Sequence, residues 1–200
     1  MGVRERRARQ RENLKQEILD AARSMFVREG YDNVSIRKIA DRIDYSPGTI
    51  YLYFKDKADI FESLCEETFA RLRRRLTAIA ADQGDPVERL RRAGRSYVDF
   101  ALENPNHYMV TFMLKNDCDE NSPRVSESGL ACFGALRDIV GQAIAADKLR
   151  FTDIEEVSQS LWACVHGVAT LLIGCSGFPF IEHSRLIDRV IDVSVRGISK

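Results

Sequence analysis

Two helix-start signals stand eleven residues apart in this chain: Ser35, and Ser46 followed by Pro47. A serine hydroxyl can accept a hydrogen bond from an N–H of the first turn, and a proline at the first helical position gives up an N–H that would be unpaired anyway. Between the two signals Ile36, Ile39, Ala40 and Ile43 recur at the spacings of one buried helical face. The intervening helix is therefore only about two turns long, which leaves Asp44-Tyr45 for a tight turn. Upstream, Leu14, Ile18, Ala21, Ala22, Met25 and Phe26 form one stripe, and Gly30 follows where a helix would end. The first helix is expected over about Arg11 to Glu29.

The third short helix opens SPGTIYLYFKDK, with Lys55-Asp56 at its end and three aromatic residues within four positions. At 100° per residue Pro47, Ile50 and Phe54 fall on one side, toward Ile39 and Ile43 of the preceding helix. Gly48, Thr49, Tyr51 and Leu52 fall on the other, an uncharged surface of small, hydroxyl, methyl and aromatic groups, with Tyr53 on the flank. Two short helices joined by a tight turn, the second carrying such groups outward, fit a helix-turn-helix whose second helix enters the major groove. Thr49 offers a hydroxyl to a base edge and a methyl to thymine, Tyr51 reaches a base or phosphate, and Lys57 adds a cation. Ser35 and Arg37, at the start of the second helix, suit flanking phosphates. A helical hairpin with surface tyrosines would show the same spacing.

Helical periodicity continues to the C-terminus, and no segment alternates as a strand does, so the chain reads as all-α. Phe61, Leu64, Cys65, Thr68, Leu72, Leu76 and Ile79 mark a long helix from Lys57 to about Ala81. Helices follow over Val87 to Ala101, Tyr108 to Leu114, Ser122-Pro123 to about Ala146, roughly 153 to 173, and Ser184 to Ile198. The plan is about nine helices in two domains, 1–57 and 58–200. From Val157 to Ile181 there is no Asp, Glu, Lys or Arg. Ser158, Gln159 and Ser160 open that stretch and Gly174, Gly177 and Pro179 close it, so its apolar part is short of the roughly 20 residues of a membrane span. It is expected to be a helix buried in a core or an oligomer interface, with no membrane involved.

Lys plus Arg and Asp plus Glu number 30 each, yet residues 1–57 hold thirteen basic against nine acidic residues and the remainder 17 against 21. The front of the chain is the part attracted to phosphate. Its arginine-rich start, RERRAR, reads as a flexible arm that adds salt-sensitive affinity, or as a solvated tail. Five widely spaced cysteines without a CxxC suggest neither a disulfide framework nor a zinc site, and point to a reduced cytoplasm. The N-terminus has no apolar run and is not a secretory signal. No local signature brings a Cys or Ser to a base, so neither an enzyme nor a cofactor or metal site is expected.

The stretch GYDNVSIRKIADRIDYSPGTIYLYFKDKADIFESL, Gly30 to about Leu64, resembles the signature of the TetR family of bacterial transcriptional regulators. The matching positions include Gly30-Tyr31, Val34-Ser35, Ile39-Ala40, Ser46, Gly48-Thr49-Ile50-Tyr51, Tyr53-Phe54 and Lys57. Two positions depart: Asp44 stands where the turn usually has glycine, and Ala58 where the next helix usually begins with an acidic residue. Asp tolerates the left-handed conformation such a turn requires. The resemblance implies an N-terminal DNA-binding domain using Ser35, Arg37, Ser46, Gly48, Thr49, Tyr51, Tyr53 and Lys57. It also implies a C-terminal helical bundle that binds an inducer and forms a homodimer through its last two long helices, about 153–198. LWACVHGVATLL, residues 161–172, resembles a Trp-x-x-x-His-Gly subclass of that C-terminal domain.

In the C-terminal half Trp162, His166, Ala169 and Ile173 share a stripe, so His166 faces the core or a pocket. Arg137 is expected on a buried face with Leu130, Phe133, Leu136, Val140 and Ile144, meeting an internal carboxylate or the acidic head of an otherwise apolar ligand. Tyr97, Phe100, Phe112, Phe133, Trp162 and His166 complete the candidate lining, although at helical spacing such residues also make plain core. The expected function is a ligand-responsive repressor, released from a palindromic double-stranded operator by a small, largely apolar inducer. The rival is a DNA-bound structural or interaction protein of the same fold without an inducer.

Overall fold

A computed structural model describes residues 2–114 and 126–200. The helices are α1 (Val3–Glu29), α2 (Ile36–Arg42), α3 (Pro47–Tyr51), α4 (Lys57–Ala80), α5 (Pro86–Glu103), α6 (Pro105–Phe112), α7 (Glu127–Ala145), α8 (Ile154–Gly174) and α9 (His183–Ile198). Among the described residues there is no strand, only a single bridge between Leu149 and Ser199. The chain is all-α. It divides into two compact units, Met1–Thr68 with Asn106–Ser122, and Phe69–Pro105 with Pro123–Lys200. The first unit takes in the opening turns of α4, because Ile60, Phe61 and Leu64 are buried in the same core as α1, α2 and α3.

In the first unit the local signals act where they stand. The Ser35 hydroxyl accepts from the Lys38 N–H at 3.2 Å, and the Ser46 hydroxyl from the Thr49 N–H at 3.2 Å. Asp44, between the two helices, has φ 59°, the left-handed conformation that asparagine and aspartate bear better than most residues. α3 is shorter than expected, ending at Tyr51, but the Phe54 N–H still bonds the Ile50 carbonyl at 3.0 Å. Ile50 and Phe54 therefore both turn inward, 0% and 2% exposed. Around them lie Ile18, Ala22, Phe26, Val34 and Ile39, with Tyr31, Phe26 and Phe61 packed edge to face or tilted at centroid distances of 5.0–5.7 Å.

α1 departs from the sequence reading. It begins at Val3 rather than near Arg11, so the arginine-rich start is helix and not a flexible arm. Arg, Glu, Gln and Ala all favour helix, and the Gly2 N–H donates to the Glu5 carboxylate at 2.8 Å, closing the first turn.

The second unit is a bundle in which α5 packs on α7, α8 and α9, and α8 packs on α7 and α9. Gly94 permits a close approach: a Cβ there would meet Val165 at 3.3 Å and Ile191 at 3.4 Å. Arg89, only 6% exposed, donates to the Ala80 carbonyl at 3.1 Å and to the Gln142 side chain, and so caps the last turn of α4 with a cation. α7 begins at Glu127, with Ser126 accepting from the Gly129 N–H at 3.1 Å. The start expected at Ser122-Pro123 lies outside the described residues, as does Cys118. α8 alone among the described helices is long and apolar enough to cross a membrane. One side of it, Val157, Leu161, Val165, Val168 and Leu172, is buried within the unit, while Ala163, Cys164, Leu171 and Cys175 face outward.

Candidate functional site

The outward side of α3 presents Gly48, Tyr51 and Leu52, with Tyr51 57% and Leu52 73% exposed. A Cβ on Gly48 would meet only the Ser46 hydroxyl, at 3.6 Å, so the approach to this helix is open to another chain's backbone. Thr49 is half-buried, and its hydroxyl lies 3.0 Å from that of Ser46, which fixes both rotors. Ser35 and Arg37 are exposed at the start of α2. Tyr53, half-buried, packs on the core edge with the Arg11 guanidinium 5.8 Å from its ring centre.

Lys57 is more constrained than a free surface cation. Its Nζ donates to the Tyr31 carbonyl at 2.9 Å and sits 4.1 Å from the centre of the Tyr31 ring. The ammonium thus ties the start of α4 to the segment after α1, with N–H groups to spare for a phosphate. Sequence reasoning overlooked Arg11 and Lys15, whose cations stand over Tyr53 and Phe54. The available signal was their helical register with buried Ile18.

In the second unit the structure brings four of the seven candidate lining residues together. The Trp162 indole Nε1 donates to the Tyr97 hydroxyl at 3.3 Å, and that hydroxyl lies 3.0 Å from His166 Nδ1. An indole N–H can only donate, so the Tyr97 oxygen accepts from it. Burial pushes the His166 pKa down, which keeps the ring neutral. Phe133 completes the cluster, edge-on to Trp162 at 5.9 Å, and Trp162 itself is 39% exposed. The result is an aromatic wall with a polar seam, open at one side.

The other three candidates are placed differently. Phe100 is 1% exposed, its ring covered by the Arg75 guanidinium at 5.2 Å, and is core. Phe112 belongs to the first compact unit, where it packs against Tyr108 at 4.9 Å. Arg137 is not on a buried face: its Nε bonds Glu155 Oε1 at 2.6 Å with both side chains about half exposed, at 48% and 49%. The face of α7 that is buried carries Gly129, Cys132, Ala135, Ile139, Val140 and Ala143, and Leu130 is 58% exposed. The buried face is rotated toward the smaller residues Gly129, Cys132, Ala135 and Ala143, with Val140 common to both stripes, and Arg137 is left exposed. Burial also pushes the Cys132 thiol up to about 12, which makes it unreactive at neutral pH.

A cavity of about 780 Å³ lies elsewhere in this unit, between α5 and α9. Its walls are charged rather than apolar. Arg91 bonds Asp192 at 2.7 Å, and Arg95 bonds Asp188 at 2.7 Å and Asp99 at 2.9 Å. It is a groove of ion pairs that holds two helices together. Among the described residues no group of three His, Cys, Asp or Glu side chains could hold a metal ion.

A small helix-turn-helix unit with an open second helix, followed by a separate helical bundle, defines a class of DNA-binding regulators. Comparison with known proteins assigns the family. Residues 18–64 match the family described as bacterial regulatory proteins, tetR family, and residues 90–194 match the tetracyclin repressor-like C-terminal domain. The fatty acid metabolism regulator protein of Bacillus subtilis is 33% identical over 185 residues, covering 91% of this chain and 94% of its own. The transcriptional repressor KstR of Mycobacterium tuberculosis is 36% identical over 81 residues, 40% of this chain and 36% of that protein. Among solved structures, the regulator FadR from Bacillus subtilis in complex with stearoyl-CoA superposes with a TM-score of 0.76 at 21% identity, over 92% of this chain and 98% of that one, which speaks for the fold alone. The chain belongs to the TetR family of bacterial transcriptional regulators. It is a DNA-binding regulator and not an enzyme.

Proposed function

We propose that the chain is a cytoplasmic homodimeric repressor that leaves its operator when a long-chain fatty acyl thioester occupies the second unit. The observation that carries the ligand reading is the Tyr97–Trp162–His166–Phe133 cluster, an aromatic wall with one neutral imidazole. It suits a ligand that is apolar along most of its length and carries a polar group able to hydrogen-bond. The similarity to a fatty acid metabolism regulator over nine-tenths of the chain favours an acyl group over other apolar molecules.

Base reading is proposed for Gly48, Thr49 and Tyr51, and backbone contact for Ser35, Arg37, Ser46, Tyr53 and Lys57. Two protomers are proposed to join through α8 and α9. Leu171 and Val193 are 49% and 61% exposed on those helices, and a Cβ at Gly167 or Gly197 would meet nothing within 4 Å, so a second copy can approach closely. Release is a population shift. A ligand that prefers a conformation whose recognition helices no longer match major grooves about 10 base pairs apart, or a multiple of that, lowers operator affinity.

Trp162 is the chain's single tryptophan, so its fluorescence reports directly on the cluster. Stearoyl-CoA added to the full-length protein is expected to shift that emission saturably and to release the protein from operator fragments selected out of genomic DNA. Free CoA is expected to do neither. Operator binding indifferent to acyl-CoA of every chain length would favour the inducer-free reading instead.

A further inference from the structure

The helical start of α1 has a feature that the recognition helix does not explain. At 100° per residue Arg4, Arg7, Arg11 and Lys15 fall within an arc of about 80° on one side of the helix. One turn further on, the same side enters the core as Ile18 and Ala22, each 0% exposed. The stripe that anchors α1 thus continues outward as a row of cations. Arg4, Arg7 and Arg11 are exposed, and among the described residues none of the four cations has a carboxylate partner. The Arg11 guanidinium stands 5.8 Å from the Tyr53 ring centre and the Lys15 ammonium 6.0 Å from that of Phe54, so the row begins against the end of the segment that carries α3. Arg4 lies about 10 Å beyond Arg11 at the helical rise of 1.5 Å per residue.

We infer that this row is a phosphate rail: a rigid second contact on the DNA backbone, beyond the base pairs that α3 reads, that lengthens the footprint without adding sequence preference. The inference rests on the DNA-reading role of α3. Four cations without carboxylate partners on one helical face suit a regularly charged polyanion, and guanidinium groups bond phosphate oxygens two at a time. A helix has an advantage over a flexible arm, because the side chains are already in line and less backbone entropy is lost on binding.

The test uses the full-length dimer, the double variant Arg4→Gln/Arg7→Gln, and a mixed-sequence 30-base-pair duplex as probe, with affinity measured from about 50 to 200 mM salt. Two lost phosphate contacts per protomer, four in the dimer, lower the slope of log affinity against log salt by about 3.6, so over that range wild type is expected to lose on the order of 100-fold more affinity than the variant. On duplexes shortened to the genome-selected site itself the two proteins are expected to converge. The variant should keep the wild-type melting temperature, since both positions are exposed. Equal salt slopes on long duplexes would overturn the rail, as would charge-dependent binding to anionic phospholipid vesicles with no change on DNA. A Tyr51→Ala protein separates the two readings: it should lose sequence preference while keeping the wild-type salt slope, and a wild type without any preferred site would sink the reading role of α3 and leave the rail standing.

Discussion

Two of the surfaces that expose large apolar side chains among the described residues are given different meanings by their neighbours. On α3, Tyr51 and Leu52 stand among hydroxyl groups and an open glycine, with cations of α1 at the flank. On α8 and α9, Leu171 and Val193 stand among Ala163, Gly167 and Gly197. The first setting suits a partner that is a polyanion with flat apolar bases between its charges. The second suits another helical surface, where small residues admit close approach. Exposure alone does not name a partner, and the chemistry surrounding the exposed group does.

The largest effect is expected from breaking the second surface. A Leu171→Arg/Val193→Arg protein places a charge on each proposed interface helix, and should sediment as a monomer with each protomer folded. Operator affinity should then fall by a factor on the order of 10²–10⁴, because the second half-site contact is no longer intramolecular. A variant that remains dimeric would move the interface away from α8 and α9.

Within α3 the comparison can be sharpened residue by residue. Ile50 is 0% exposed and Leu52 is 73% exposed, two positions along the same short segment. Ile50→Ala is expected to destabilise the protein by about 3 kcal/mol through the cavity it leaves, whereas Leu52→Ala should stay within about 0.5 kcal/mol. Urea denaturation of the two variants measures both. Comparable losses would mean that Leu52 is covered in the folded protein.

Lys57 tests whether one cation serves both fold and DNA. Lys57→Ala removes the bond to the Tyr31 carbonyl and the contact with its ring, at an expected cost of about 1 kcal/mol in stability. If the spare N–H groups reach a phosphate, the salt slope of binding should also fall, by about 1.8 for the two protomers together. A stability loss with an unchanged slope would confine Lys57 to the fold.

What can be read from sequence follows the range of the interactions concerned. Ser35, Asp44 and Ser46-Pro47 act on residues within four positions, so α2, its turn and α3 are legible in the sequence. The inward placement of Ile50 and Phe54 follows from period alone. Residues 3–10 escape a reading by periodicity because no apolar stripe announces a helix there, although the propensities of Arg, Glu and Ala do. Arg137 is misplaced for a different reason. α7 is apolar on several sides, and periodicity does not reveal which of its overlapping apolar stripes meets the neighbouring helices. The Tyr97–His166 and Lys57–Tyr31 bonds join residues 69 and 26 positions apart, and they depend on packing that no local pattern encodes.

The smallest effect concerns the polar seam of the second unit. Burial lowers the His166 pKa, so the folded protein binds fewer protons than the unfolded chain just below the ordinary histidine value of 6.5. Stability from this residue is therefore fully present above about pH 6.5 and is lost as the pH falls through the lowered folded value. The side chain is only partly buried, so screening keeps the effect modest. His166→Gln retains a hydrogen-bonding side chain for Tyr97 but does not titrate. The difference in melting temperature between wild type and this variant should narrow by about 1–2 °C between roughly pH 7.5 and pH 5. Parallel pH profiles for the two proteins would show that His166 is no more buried in solution than a surface histidine, and would remove the neutral imidazole from the proposed ligand site.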